Sequence, residues 1–221
     1  MSTIVVTGME FEARIARRAG LRAIVVGGRP EQRVAAIERA LAEGATGLIS
    51  FGIAGGLDPL LASGAILVPE AVRIDSGEEF PVDPEWRRRL LSGIPHAVSG
   101  IVLGAGAIVA GVNEKKSLYD RTNAVAVDLE SGAVASAASR AGVPFVVVRA
   151  IADSAHRDLP HVALVGLDSE GRAAVGTVCG LLARKPRQIP ALVRLTLETR
   201  RALSAIAAIA GLVGVSRAAP V

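Results

Sequence analysis

The chain has 221 residues and a formal net charge of +4, and 51% of its residues are hydrophobic although only 3% are aromatic. With so few rings to stack on bases, and with its arginines in short clusters beside acidic residues, we predict no nucleic-acid partner. A single cysteine, Cys179, excludes an internal disulfide and a multi-cysteine zinc site. We predict one domain over residues 1–221, since a chain of this length can bury a large core.

Most of the chain alternates apolar runs with helical patterns. The apolar runs are rich in β-branched residues and mostly continuous, as expected for strands covered on both faces. They fall at residues 3–8, 22–28, 47–52, 65–69, 97–104, 124–128 and 144–150. Helical patterns fall at residues 10–19, 30–44, 84–93 and 129–142. This order predicts an α/β fold with three α/β/α layers and a central mixed, mostly parallel sheet.

The C-terminal quarter shows helical patterns only. Helices are predicted around residues 172–184 and 188–212, broken by Pro186 and Pro190. The apolar stretch 202–215 is shorter than the roughly 20 residues that a membrane-spanning helix needs. We expect it to pack on the core or a partner, or to lie on a membrane surface. The N-terminus reads as a first strand rather than a signal peptide, so we expect a cytoplasmic protein, with membrane association left open.

Acidic residues follow three of the predicted strands. Glu12 comes after the first strand and Asp153 after the seventh. Asp128 and Glu130 come at the end of the sixth. In an open α/β sheet, ligands bind beyond the carboxyl ends of the strands. Helix starts also favour acidic residues, so a structural role stays open for each one, but their coincidence at three strand ends favours a shared site.

Glu130 is the most informative of these acids. If Asp128 caps the following helix, Glu130 shares one face with Ala133, Val134 and Ala137, at the end of a small apolar stripe. A buried carboxylate needs a partner. The vicinal diol of a sugar would satisfy both of its oxygens, and Arg149 or a backbone amide is the alternative partner.

Other catalytic and cofactor motifs are missing from the sequence. The glycine turn at residues 51–59 is not GxGxxG and has no acidic ribose ligand at the expected distance, which disfavours NAD. The three histidines have no metal-binding spacing, so we predict no metal. Ser131 and Ser154 lack a G-x-S-x-G context, which disfavours a serine hydrolase.

Three segments together resemble one enzyme family. The segments TGMEFEA, FGIAGGL and VDLESGAVASAASRAGVPFVVVRAIAD resemble, in order and spacing over about residues 3–155, the superfamily of nucleoside phosphorylases and methylthioadenosine/S-adenosylhomocysteine nucleosidases. Within it, LISFGIAGGLDP and RDLPHVALVGLDSEGR are most similar to the hopanoid-associated phosphorylases (HpnG). The resemblance implies cleavage of the N-glycosidic bond to adenine, in adenosylhopane for the hopanoid branch, releasing ribosylhopane or its phosphorylated form.

The resemblance also assigns roles to residues. Asp153 would be the general acid that protonates N7 of the leaving base, and Glu12 would activate the attacking water. Glu130 would hold the ribose hydroxyls, and the backbone of Val109 would recognise the base edge. Further substrate-binding candidates lie on the same segments: Gly52, Ile53, Ala54, Ile108, Asp128, Leu129 and Arg149.

Departures from the family pattern concern the substrate and the nucleophile. Ile53 stands where nucleosidases commonly have serine or threonine, and Ile108 stands where they have an aromatic residue. Both changes favour a large apolar 5′ substituent over methylthioadenosine. Arg14, Arg73 and Arg149 are the candidate cations for phosphate, but Glu12 beside the nucleophile suits water, so we expect hydrolysis.

Alternative functions stay open. They are a methylthioadenosine/S-adenosylhomocysteine nucleosidase, a purine nucleoside phosphorylase, and a non-catalytic protein that binds adenine nucleosides. We expect no cofactor, with phosphate as the one candidate co-substrate. The expected partners are a small adenine nucleoside, lipid-linked in the hopanoid reading, and further copies of the chain in a homodimer or larger homo-oligomer. The arginine clusters and the apolar C-terminal helix are candidates for a peripheral membrane contact.

Overall fold

The computed structural model describes residues 2–160 and 189–215. In these residues nine strands form one sheet and six helices pack around it. The strands are β1 (Ser2–Thr7), β2 (Ala23–Val25), β3 (Ala45–Gly56), β4 (Ile66–Leu67), β5 (Ala71–Ile74), β6 (Glu79–Pro81), β7 (Ile101–Gly104), β8 (Ala124–Asp128) and β9 (Phe145–Asp153). The helices are α1 (Glu10–Arg18), α2 (Pro30–Ala42), α3 (Pro84–Gly93), α4 (Val112–Thr122), α5 (Ser131–Ala141) and α6 (Ile189–Val215).

The sheet is mixed but mostly parallel. Its strand order is β2-β1-β3-β8-β7-β5-β6, with β9 beside β3 and β4 beside β9. Five pairs are parallel, namely β1–β2, β1–β3, β3–β9, β5–β7 and β7–β8. Three pairs are antiparallel, namely β3–β8, β4–β9 and β5–β6. The predicted fold class, a mixed and mostly parallel sheet with helices around it, is confirmed.

Two apolar clusters cover the two faces of the sheet, and β9 contributes to both. Val147 packs in the cluster that contains Ile37 of α2 and Val134 of α5. Its neighbour Val148 packs in the cluster that contains Trp86 of α3 and Ile206 of α6. Because every residue of β9 is buried, its sequence is mostly apolar and does not alternate; Arg149 and Asp153 are its charged residues.

The long strand β3 connects the two halves of the sheet. Its residues Leu48 to Gly55 pair with β9 in parallel, and Gly55 and Gly56 then pair antiparallel with β8. The register with β9 shifts between Ala54 and Gly55, so that Gly55 lies opposite Asp153. The second half of β3 thereby lies between the carboxyl ends of β8 and β9.

Several elements differ from the sequence prediction. The short strands β5 and β6 and the helix α4 were not predicted, because strands of three or four residues and a mostly polar helix carry little apolar periodicity. The helix predicted from residue 129 begins at Ser131, although Asp128 does accept the backbone N–H of that serine at 2.9 Å. The helix predicted at 172–184 lies outside the described residues.

Helix α6 lies partly against the core. Pro190 does not break it, because this proline stands in the first turn, where no backbone N–H is needed. In its second half Ala202, Ile206 and Val213 are buried against the sheet, so this part is core, one of the expected arrangements. No helix in the described ranges combines the length and hydropathy needed to cross a membrane.

Candidate active site

A cavity of about 410 Å³ lies at the carboxyl ends of the parallel strands, against the second half of β3. The residues that line it follow β1, β2, β7, β8 and β9 in the chain, which is where ligands bind in open α/β sheets. Nine of the predicted site residues line the cavity: Glu12, Ile53, Ala54, Ile108, Val109, Asp128, Leu129, Glu130 and Asp153. The other two, Gly52 and Arg149, contact Glu12 or Glu130 from behind.

Glu12 is buried and receives three backbone hydrogen bonds. Its Oε2 accepts the N–H groups of Gly8 at 3.0 Å and Met9 at 2.9 Å, and its Oε1 accepts the N–H of Ile53 at 2.8 Å. The bond from Met9 also caps the start of α1. Glu12 therefore has a structural role at the start of this helix and also lines the cavity. Burial raises the pKa of Glu12 to about 7, and the charge of Glu130 adds to the rise. A carboxyl group with this pKa can accept or return a proton near neutral pH.

Arg149 is the charged centre behind the acids. Its side chain is fully buried on β9, with Nε 2.6 Å from Asp128 Oδ2 and Nη2 3.4 Å from Glu130 Oε2. Nη2 also donates to Ser50 Oγ at 2.7 Å and lies 3.3 Å from Ser131 Oγ. Burial opposes the charge of Arg149, but the carboxylates around it raise its pKa. The guanidinium is therefore a fixed cation that neutralises part of the acid cluster.

Glu130 and Asp128 sit where β8 turns into α5. Glu130 is 8% exposed and faces the cavity; burial raises its pKa, Arg149 opposes that rise, and Asp128 adds to it. The sequence offered Arg149 or a backbone amide as the protein partner of Glu130, and the structure contains the ion pair with Arg149. Asp128 is held more firmly, because its Oδ2 also accepts the hydroxyl of Ser131 at 2.5 Å. Glu130 thus keeps more accepting capacity for a ligand than Asp128 does.

Two glycines allow these charged groups to approach the backbone. A Cβ on Gly8 would lie 2.5 Å from Glu130 Oε1. A Cβ on Gly52 would overlap Glu12 Oε1 and would lie 2.6 Å from Arg149 Nη1. Gly8 and Gly52 are therefore required, because the acids lie too close to the backbone there to leave room for a side chain.

Asp153 lies at the other side of the cavity, where β9 ends. Its side chain is 9% exposed, and its Oδ2 forms a short ion pair with Nζ of Lys115. Lys115 lies on α4 and is fully buried. Burial raises the pKa of Asp153 and Lys115 opposes the rise. A buried carboxyl group that faces a cavity and has a raised pKa is suited to proton donation.

The remaining wall of the cavity is apolar. Ile53 and Ala54 come from β3, Ile108 and Val109 follow β7, and Leu159 comes from the segment after β9. Ile108 is 47% exposed and therefore stands at the rim of the cavity. This part of the cavity wall is therefore aliphatic.

Two cations of the site were missed by sequence reasoning. Lys115 occurs in the polar segment NEKKSLYD, where it looks like one half of a solvated lysine pair. Arg33 lines the cavity from α2, is 6% exposed, and donates through Nη1 to the carbonyl of Leu129. No motif marks either residue, because their burial depends on how α2 and α4 pack at the strand ends.

The cations considered for phosphate are placed differently. Arg14 is exposed and Arg73 is paired with Glu79, and neither lines the cavity. Arg149 is already paired with two carboxylates. In the described part of the chain no group of three or more histidine, cysteine, aspartate or glutamate residues is arranged to hold a metal ion.

The mixed sheet, the surrounding helices and this set of buried acids at the strand ends define a class, the nucleoside phosphorylase and nucleosidase fold. Solved structures of that fold are similar over nearly the whole chain. The 5′-methylthioadenosine/S-adenosylhomocysteine nucleosidase of Neisseria meningitidis, in complex with methylthio-immucillin-A, matches with a TM-score of 0.68 at 18% identity, over 96% of this chain and 99% of that one. The S-adenosylhomocysteine nucleosidase of Streptococcus pyogenes, in complex with 5-methylthiotubericidin, matches with a TM-score of 0.65 at 17% identity, over 90% and 96%.

A third similar structure has a different named activity. The futalosine hydrolase of Helicobacter pylori matches with a TM-score of 0.61 at 16% identity, over 69% of this chain and 88% of that one. At these identities the structures establish the fold. The sequence profile of the Phosphorylase superfamily matches residues 3–184, so the chain belongs to that superfamily.

Proposed function

We propose that the protein cleaves the N-glycosidic bond of an adenine nucleoside by hydrolysis. The observation that carries the proposal is one cavity lined by three buried carboxyl groups, Glu12, Glu130 and Asp153, each from the end of a different strand. The similar structures include nucleosidases bound to analogues of adenine nucleosides, which supports adenine as the base. Burial raises the pKa of all three groups, and Glu12 at about 7 suits proton exchange near neutrality.

The chemistry divides between the two sides of the cavity. Adenine leaves poorly as an anion, so protonated Asp153 gives its proton to N7 as the bond between C1′ and N9 breaks and its electron pair goes to the base. The sugar becomes positively charged in the transition state, and the carboxylates of Glu12 and Glu130 stabilise it in a dry site. Water attacks C1′ and gives a proton to ionised Glu12, while Glu130 holds the ribose hydroxyls.

Water is favoured over phosphate as the nucleophile. Phosphate needs free cations beside C1′, but Arg149 is neutralised by Asp128 and Glu130, and Glu12 would repel the anion. Among the described residues that line the cavity, Arg33 is the other cation, and it is engaged with the Leu129 carbonyl. We therefore infer hydrolysis, with phosphorolysis as the outcome that would contradict it.

For the natural substrate we propose adenosylhopane, cleaved to adenine and ribosylhopane in hopanoid biosynthesis. An aliphatic wall with Ile53, Ile108 and Leu159 suits a bulky apolar 5′ substituent. The sequence resemblance to the hopanoid-associated branch supports the same choice. Methylthioadenosine and S-adenosylhomocysteine are the competing substrates, and the similar nucleosidase structures favour them.

One assay tests these statements together. The protein is incubated with adenosylhopane, methylthioadenosine or S-adenosylhomocysteine, with and without phosphate, and the sugar product is identified by mass. We expect adenine and ribosylhopane at equal rates in both buffers, and slower release from the other two substrates. A phosphate-dependent phosphosugar would replace hydrolysis by phosphorolysis. Nucleoside binding without any adenine release would instead support the non-catalytic alternative.

We also propose that the first half of α6 contacts a membrane surface peripherally, which suits a lipid-linked substrate. Ile189, Val193 and Leu197 are exposed at a spacing of four residues, and Arg194 and Arg200 are exposed on the same half. Vesicles containing anionic lipid should sediment the protein, and Val193→Asp with Leu197→Asp should release it. The alternative is a homodimer whose interface covers these residues. In that case the unsubstituted protein would not sediment with the vesicles, and light scattering would show that the doubly substituted variant is monomeric.

A further inference from the structure

The contacts of Lys115 single it out among the buried groups. Its side chain is fully buried, and its Nζ donates to Ser154 O at 3.0 Å, to Arg157 O at 2.9 Å and to Asp153 Oδ2 at short range. A lysine ammonium has three N–H donors, so each one has an acceptor. A buried lysine is rare and costly unless it is paired in this way.

We propose that Lys115 is the positioning residue of the leaving-group acid. It occupies Oδ2 of Asp153, so that Oδ1 is left for N7 of the base, and it stabilises the carboxylate that forms once the proton has been donated. The proposal rests on the proposed function of Asp153 and extends it to a residue that lies behind the cavity wall.

The proton transfer shows why such a cation matters. When the proton passes from Oδ1 of Asp153 to N7, the electron pair of the O–H bond stays on Asp153, which becomes an anion in a desolvated site. The electron pair of the C1′–N9 bond goes to the base. An unpaired buried carboxylate is unfavourable, whereas one beside an ammonium is stabilised. The carbonyls of Ser154 and Arg157 accept hydrogen bonds from the same Nζ, so the ammonium is held in place beside Asp153.

Lys115 also holds the segment that follows β9. The carbonyls of Ser154 and Arg157 belong to the turn before Leu159, which lines the cavity. Two further bonds tie this segment to the start of α4: Leu159 N–H donates to Ala110 O at 2.9 Å, and Val112 N–H donates to Asp158 Oδ1 at 2.7 Å. The lysine therefore fixes Asp153 and the adjacent wall together.

The charges that face Asp153 give the sign of the expected pH effect. Among the described residues, Lys115 on α4 is the charged side chain paired with Asp153, and the carbonyls of Ser154 and Arg157 contact Lys115. Burial raises the pKa of Asp153 and Lys115 opposes this rise. Replacing Lys115 with a neutral residue therefore raises that pKa further and makes Asp153 a weaker acid.

The first test separates leaving-group protonation from structure. Lys115→Met, Lys115→Arg and the control Lys116→Met are assayed with an adenine nucleoside and with 4-nitrophenyl riboside, whose leaving group departs without protonation. Lys116 is the adjacent exposed lysine on α4, paired with Asp120. We expect Lys115→Met to slow adenine release about ten- to a hundredfold with little effect on nitrophenol release, and Lys115→Arg to restore part of the loss. An equal loss on both substrates, or no loss on either, would overturn the proposal.

The second test does not depend on turnover. Adenine affinity is measured by calorimetry from pH 5 to 9 for the unsubstituted protein and for Lys115→Met. We expect the pH at which affinity falls by half to move up by about one unit or more in the variant. Coinciding midpoints would reject the role of Lys115 even in a working enzyme. A shifted midpoint with no adenine release from any nucleoside would reject the proposed function and keep the Lys115–Asp153 coupling; absence of adenine binding would reject both.

Discussion

The two sides of the cavity use buried charge in different ways. At the side of Glu12 and Glu130, three carboxyl groups including Asp128 lie around the guanidinium of Arg149, and Arg33 is a second cation near Glu130, so acidic groups outnumber the cations. At the side of Asp153, one carboxyl group pairs with one ammonium, whose other N–H groups donate to two backbone carbonyls. Excess negative charge suits the stabilisation of a cationic sugar, and one-to-one pairing suits a carboxyl group that changes its protonation state in each cycle. The predictions below act on one side at a time.

The largest expected effect is on the Asp153 side. Asp153→Asn removes the donated proton but retains an oxygen that Lys115 can reach, so the fold should persist. We expect adenine release to fall by about two to four decades. Asp120→Asn, an exposed acid paired with Lys116, is the matched control and should keep full activity. Near-normal turnover in Asp153→Asn, with an unchanged melting temperature, would remove Asp153 from the mechanism.

Arg149→Met acts on the opposite side and affects stability first. It leaves Asp128 and Glu130 buried without their cation, which typically costs about 3–5 kcal/mol. Urea unfolding measures this loss, and Arg140→Met, which breaks an exposed ion pair with Glu38, should cost less than about 1 kcal/mol. Equal losses in the two variants would mean that the charges at Arg149 are not coupled as the structure indicates.

Glu12 gives a prediction with a defined pH window. Its pKa is about 7 in the folded protein against an ordinary value of 4.5, so the folded state binds more protons between these values. Stability should therefore fall as the pH rises from 4.5 to 7, by at most about 3.4 kcal/mol, and Glu12→Gln should flatten this slope whatever its effect on absolute stability. Thermal unfolding at pH 5 and pH 8 measures the slope.

The same pKa predicts the acidic limb of activity. Glu12 must be ionised to accept a proton from water, so kcat/KM should rise through pH 7. An acidic limb centred near pH 4.5 would show that Glu12 is not the base, or that its environment differs from the one described.

The smallest expected effect concerns Gly52. Gly52→Ala places a methyl group against Glu12 Oε1 and Arg149 Nη1, and the resulting strain should cost about 1–3 kcal/mol and lower activity. Gly211→Ala on α6 is the control, because a Cβ there meets no atom within 4 Å. A variant at Gly52 as stable and active as the control would show that this part of the site is loosely packed.

The sequence predicted one kind of site residue better than another. The acids and glycines at the strand ends could be found, because strand ends are visible as the points where apolar runs stop. Lys115 and Arg33 could not, since each lies on a helix whose sequence looks solvated, and their burial arises only when that helix packs over the strand ends. The short strands β5 and β6 were missed for a related reason: pairing, not composition, makes them strands.

Strand β3 contacts residues on both sides of the cavity. Ile53 donates its N–H to Glu12, and Gly55 lies opposite Asp153 in the pair of strands. The two residues proposed to exchange protons therefore contact β3 at positions two residues apart. Two residues of strand span about 6–7 Å. The chain is covalently continuous between these two positions, so inserting or deleting a residue there changes their spacing directly. Inserting a single residue between Ile53 and Gly55 would change the spacing of these two positions on β3, whereas loosening of the surrounding helices would leave that spacing unchanged.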